Sequence, residues 1–120
     1  MAGSIDAQPG TVEAAVSAAV ERLYLEKFGK GPLHTETTIH GDTMTTVMHD
    51  VFNAAERALV QRGRSDSVLT TRMLWQEATD QAFKTAVGEA VGRRVLTVVS
   101  GYELHDEVAT EVFILEPEPQ

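Results

Sequence analysis

Residues 33–51 read LHTETTIHGDTMTTVMHDV, and whether this stretch is strand or helix decides the fold. Apolar residues and threonines alternate on both sides of Gly41-Asp42, a period of two that suits pleated strands. Threonine is branched at Cβ, which stiffens χ1 and favours strand over helix. A glycine leading a two-residue loop suits a type II′ turn, so the stretch is expected to form a β-hairpin; a four-residue loop is the other option. With Gly41-Asp42 at the tip, the opposed pairs are His40 with Thr43, Thr38 with Thr45, Glu36 with Val47 and His34 with His49.

Upstream, Thr11 stands as an N-cap before Val12, Ala15, Val16, Ala19, Val20, Leu23 and Phe28, a spacing that predicts a helix over 12–28. FGKGP follows at 28–32. A lysine between glycines invites a phosphate-loop reading, but such a loop runs strand, glycines, helix, so that amides at a helix N-terminus face the anion. Here the glycine comes after the helix. Gly29 is therefore expected as its left-handed cap, with Pro32 blocking continuation.

Downstream, Asn53 with Glu56 three places on makes an Asn version of the capping box and opens a short helix at 54–62, closed by Gly63. Ser65 or Asp66 is expected to cap a third helix, whose stripe includes Val68, Arg72, Trp75, Phe83 and Val87 and ends at Gly92. Its length is about 25 residues, roughly 37 Å. Two strands follow, RRVLTVVSGY at 93–102 and EVATEVFIL at 107–115. This order predicts an α+β two-layer sandwich: helix, hairpin, helix, helix, strand, strand, with about four mainly antiparallel strands and the helices on one face. Residues 1–10 read as a flexible arm, 11–116 as a single domain and 117–120 as a disordered tail.

The 120 residues suffice for one core but not two. Hydrophobic residues at 42% and charged residues at 23% set the chain among ordinary globular domains rather than disordered ones. The apolar run Val95 to Val99 is far too short to cross a bilayer, and the N-terminus lacks a basic-then-apolar leader, so a cytoplasmic address is expected. With no cysteine there is no disulfide, thiolate metal site or cysteine nucleophile. Eighteen acidic residues against ten basic ones give a net charge of −8, which repels phosphate backbones, so no nucleic-acid partner is expected. The best basic pairs, Arg62 with Arg64 and Arg93 with Arg94, lie at or beyond helix C-termini, where cations complement the helix dipole.

Four motifs occur in one order: FGKGP after the first helix, HGDTMTTV in the hairpin, NAAERAL opening the second helix, and VGRRVLTVVSGYELHDEVATEVFILE at the end. Together they resemble the MpsC family, over residues 12–116. The positions that match the family pattern are Gly31, Pro32, Gly41, Asp42, Glu56, Arg72, Gly92, Val112, Phe113 and Leu115. Asn53 departs from a threonine with capping preserved, and Asp50 departs from a more apolar stretch. The family is named for a sodium-translocating, membrane-potential-generating system and is associated with inorganic carbon transport. The resemblance thus implies a membrane transport-system subunit as partner, with this chain as a soluble accessory or regulatory part, and no enzymatic chemistry.

Three sets of side chains raise sharper possibilities. His34 and His49 become cross-strand neighbours with Glu36 on the same face, an acceptable zinc ligand set, although polar residues on a solvated sheet face are commonplace. His105-Asp106 invites acid–base chemistry but reads as an ordinary turn with no nucleophile elbow nearby. Arg72 falls on the apolar stripe of the third helix and needs a carboxylate, a ligand or an interface, with Asp42, Glu56 or a partner's acid as candidates. Thr97, Val99, Val112 and Ile114 offer apolar area on the sheet face that the helices leave, which favours a homodimer through the sheet or its edge strand. The expected function is that of a non-enzymatic accessory protein of a membrane cation-translocating or inorganic-carbon uptake system, without a cofactor. The alternative is a small-molecule or metal-binding sensor using the hairpin histidines or Arg72.

Overall fold

The hairpin forms in the register that its turn dictates. In the computed structural model, which describes residues 11–118, β1 (His34–His40) and β2 (Thr43–His49) pair with His34 opposite His49 and His40 opposite Thr43. Gly41 has φ 64° while Asp42 stays out of the positive region, the combination a type II′ turn requires. The remaining elements are α1 (Val12–Phe28), α2 (Ala54–Gln61), α3 (Ser65–Val91), β3 (Val95–Glu103) and β4 (Val108–Leu115). They build the expected α+β sandwich. All four strands are antiparallel in the order β1-β2-β4-β3, so the two hairpins join through their second strands.

Helix ends follow local chemistry. Thr11 accepts from the Ala14 amide at 3.1 Å, and Gly29, at φ 71°, returns its amide to the Leu25 carbonyl at 2.9 Å. FGKGP is a helix stop. The capping box of α2 is complete, with Asn53 and Glu56 each accepting the other's backbone amide at 2.9 Å. The start of α3 differs from expectation: Ser65 is already helical and Arg64 is the N-cap, with no side-chain capping bond. Gly63 turns the chain at φ 77°, and Arg64 folds forward to donate to Ser67 Oγ at 2.9 Å, so the helix begins one residue early. The arm expected at 1–10 lies outside the described residues. Pro117 and Glu118 carry no regular structure.

Both α1 and α3 pack on the same side of the sheet, α1 toward β1 and α3 toward β3. Between helices and sheet lie Tyr24, Met44, Met48, Phe83 and Phe113, all fully enclosed. Alternation along each strand sends Thr35, Met44, Val98 and Phe113 inward, and leaves their neighbours on a face that no helix among the described residues covers.

Candidate functional site

The inner face of the sheet is mostly apolar, with Thr35 and Tyr102 as edge-strand exceptions, but one rung is polar across all four strands. Thr37 pairs with Thr46, Thr46 with Glu111, and Glu111 with Ser100, so one polar residue from every strand stands in a single row beneath the helices. Ser17 and Tyr24 of α1, seven residues apart and so on one helical face, reach down to it. Ser17 Oγ lies 2.8 Å from Thr37 Oγ1, which lies 2.9 Å from Thr46 Oγ1. The Tyr24 hydroxyl donates to Glu111 Oε2 at 2.7 Å, and Ser100 donates to Glu111 Oε1.

Glu111 is 0% exposed and has no cation paired with it among the described residues. An ionised carboxylate in such a place lacks the compensation that burial demands, so it holds its proton to higher pH. Burial pushes the Glu111 carboxyl up to about 7, against the opposing pull of the Ser100 and Tyr24 hydroxyls and the Arg72 charge. Burial likewise raises Tyr102 to about 12, and burial together with Glu111 raises Tyr24 well above the ordinary tyrosine value.

Arg72 is also 0% exposed, and its partner is Glu56. Nε donates to Glu56 Oε2 at 2.6 Å, and Nη2 donates to Oε1 at 2.7 Å and to the Val51 carbonyl at 2.9 Å. The guanidinium stacks 3.6 Å from the Phe28 ring centroid. Glu56 thus closes the capping box of α2 and clamps α2 to α3 with the same carboxylate. Asp42, the other intramolecular candidate for Arg72, pairs instead with Arg93 at 2.5 Å. Gly31 and Pro32 lie in the α1–β1 connection, Gly92 caps α3, and Phe113 fills the core.

At the end of the sheet Arg57 of α2 ties two loops. It pairs with Asp50, just after β2, and its Nε donates to both Glu107 oxygens, just before β4, at 2.9 and 3.0 Å. Among the described residues Asp50 and Glu107 are the non-glycine ones with positive φ, 59° and 57°, so one arginine holds both left-handed turns. Lys30, the lysine of FGKGP, also bonds Asp50. It braces a turn, in keeping with the helix-stop reading.

On the uncovered face His34 and His49 stand opposite, ring centroids 5.4 Å apart, with Glu36 two residues along β1. Among the described residues no group of three or more His, Cys, Asp or Glu is placed to hold a metal ion. His105 lies in the exposed β3–β4 turn, where its amide donates to Glu103 at 2.7 Å. Two rows at the hairpin end of this face carry no acid and no arginine or lysine: His40, Thr43, Ile114 and Thr97, then Thr38, Thr45, Val112 and Val99. Val99 is 53% exposed. Thr97, Val99, Val112 and Ile114 therefore share the open face, as their strand phase predicts.

The polar rung is what sequence reasoning missed. Its signal is Glu111 in the phase of Ala109, Phe113 and Leu115, a carboxylate among inward-pointing apolar residues. No helix among the described residues is long and apolar enough to cross a membrane. One family model, described as "Na+-translocating membrane potential-generating system (MpsC)", matches residues 8–117, nearly the whole chain. No curated protein and no solved structure matches.

Proposed function

The chain belongs to the MpsC family, and from that premise we propose that it is a non-enzymatic accessory subunit of a membrane cation-translocating or inorganic-carbon uptake system, acting from the cytoplasmic side. The observation that carries this reading is the open sheet face. Charged side chains are depleted at the centres of protein interfaces, and here two full rows lack acid, arginine and lysine in a chain of net charge −8. Binding rather than chemistry also fits Glu111, whose titration falls near neutrality but which is enclosed beyond a substrate's reach.

Co-purification of the tagged protein from gently solubilised membranes of its own cells tests the reading. Wild type should bring down an ion-translocating membrane subunit, and Val112→Glu, folded by circular dichroism, should lose it. Recovery of no membrane subunit by wild type, or equal recovery by the variant, contradicts the proposal.

We further assign β1 as the seam of a homodimer. It is the edge strand with neither bulge nor proline nor lysine, whereas the other edge, β3, is broken by a register shift between Val95 and Thr97. Sedimentation of wild type should show a dimer, and Thr38→Lys, a charge on that edge, a monomer.

The 5.4 Å separation of the His34 and His49 rings favours one second reading, a metal sensor in which the two imidazoles take their further ligands from a partner. It requires a zinc-induced rise in melting temperature that His34→Ala/His49→Ala abolishes.

A further inference from the structure

The two enclosed carboxylates among the described residues are treated oppositely. Glu56 receives the forked guanidinium of Arg72 and a backbone amide. Glu111, more deeply buried, receives only the hydroxyls of Tyr24 and Ser100. Three donors in the cluster around Tyr24 and Arg72 go unused: Arg72 Nη1, the Tyr102 hydroxyl and Trp75 Nε1 are enclosed without a hydrogen-bond partner. Enclosed donors normally find acceptors.

Tyr102 stands two residues from Ser100 on the inner face of β3, the diagonal neighbour of Glu111, within reach of a long side chain. The Arg72 guanidinium lies 5.7 Å from the Tyr24 ring centre and 5.9 Å from that of Tyr102. The spare donors thus border a carboxylate that lacks the support it needs only when ionised.

We propose that Glu111 is a proton-binding switch: protonated, it keeps Tyr24 and Ser100 as neighbours, its own O–H donating to one of those hydroxyl oxygens, and on losing its proton to solvent it accepts from both and draws in the Tyr102 hydroxyl and Arg72 Nη1. The pull on Arg72 slackens its grip on Glu56 and so on the first turn of α2. Every element around the carboxyl has a part. Tyr24 comes from α1, Thr46 from β2, Ser100 and Tyr102 from β3, and Arg72 from α3, with Glu56 of α2 behind it. Of the four histidines, His34, His40 and His49 lie on the opposite face and His105 in the turn, so none faces Glu111. Burial sets the carboxyl at about 7, where a small change in pH moves the population. The switch stands on this chain alone, whatever the open face binds.

The test follows Trp75 emission and the backbone amide shifts of Asn53 to Glu56 in the full chain, from about pH 5 to about pH 9. Trp75 packs 5.6 Å from Tyr24 and 4.6 Å from Phe28, on which Arg72 stacks, so it reports the arginine's surroundings. Wild type should show one shared midpoint near neutrality, and Glu111→Gln should be flat. Tyr102→Phe, which removes a donor unused in the protonated form, should fold normally and raise the midpoint by up to about one unit. A transition that persists in Glu111→Gln belongs to the histidines and overturns the proposal, as does a flat wild type. A midpoint that moves when sodium replaces potassium would put a metal cation in the proton's place and overturn it too.

Discussion

The two faces of one four-stranded sheet are built against the usual order. The covered face holds a carboxylate with only hydroxyls for company, while the uncovered face keeps two whole rows free of acid and of lysine or arginine. A sheet built only for stability would exchange the two. The covered face gives up stability for a titrating group, and the uncovered face keeps apolar area that no helix among the described residues covers. The two proposals made above rest on the two places where the hydrophobic pattern is broken, one turned toward protons and one toward a partner.

The largest effects should separate neighbours on β4. Phe113→Ala empties the covered side and should lower unfolding free energy by about 3–5 kcal/mol in urea titrations. Ile114→Ala, one residue on but on the open face, should lower it by about 1 kcal/mol or less. Equal losses would mean that the open face is covered in solution. Arg72→Ala leaves Glu56 enclosed without its cation and should also lose about 3–5 kcal/mol.

Next in size is Glu111→Gln, which should stabilise. The folded carboxyl titrates at about 7 against an ordinary 4.5, so between those values the unfolded chain holds fewer protons than the folded one. Wild-type stability must then fall as pH rises from the lower value to the upper and level off above it, a loss of about 3 kcal/mol at full extent. Asn53→Ala, which removes the α2 cap, should cost about 1 kcal/mol in thermal melts.

Much of this fold was legible because its signals are local. Gly41-Asp42 set the hairpin tip and with it the pairing of His34 and His49. Gly29 and Gly92 stopped helices in left-handed turns, and Asn53 with Glu56 started one. Arg72 declared a need by lying on an apolar stripe, and one of its three possible partners supplied it. The junction of β2 with β4 was not legible, since it joins segments about sixty residues apart through no local rule.

Glu111 was hidden for a different reason. With Val112 and Ile114 on the open face, Glu111 falls in the inward phase of Phe113 and Leu115, where a carboxylate without a local partner argues against that phase. The larger Phe113 and Leu115 prevail, because the core has room for them, and Tyr24 and Ser100 make the accompanying carboxylate tolerable. Those hydroxyls come from α1 and β3, and only the folded chain brings them together.

A proton-binding carboxylate on the covered face must come at the expense of stability. Urea unfolding free energy, measured for wild type and Glu111→Gln at intervals from about pH 5 to about pH 9, tests it most directly. The two curves should diverge as pH rises, the variant becoming the more stable by about 3 kcal/mol above neutrality. Parallel curves, or a variant less stable at every pH, would contradict it.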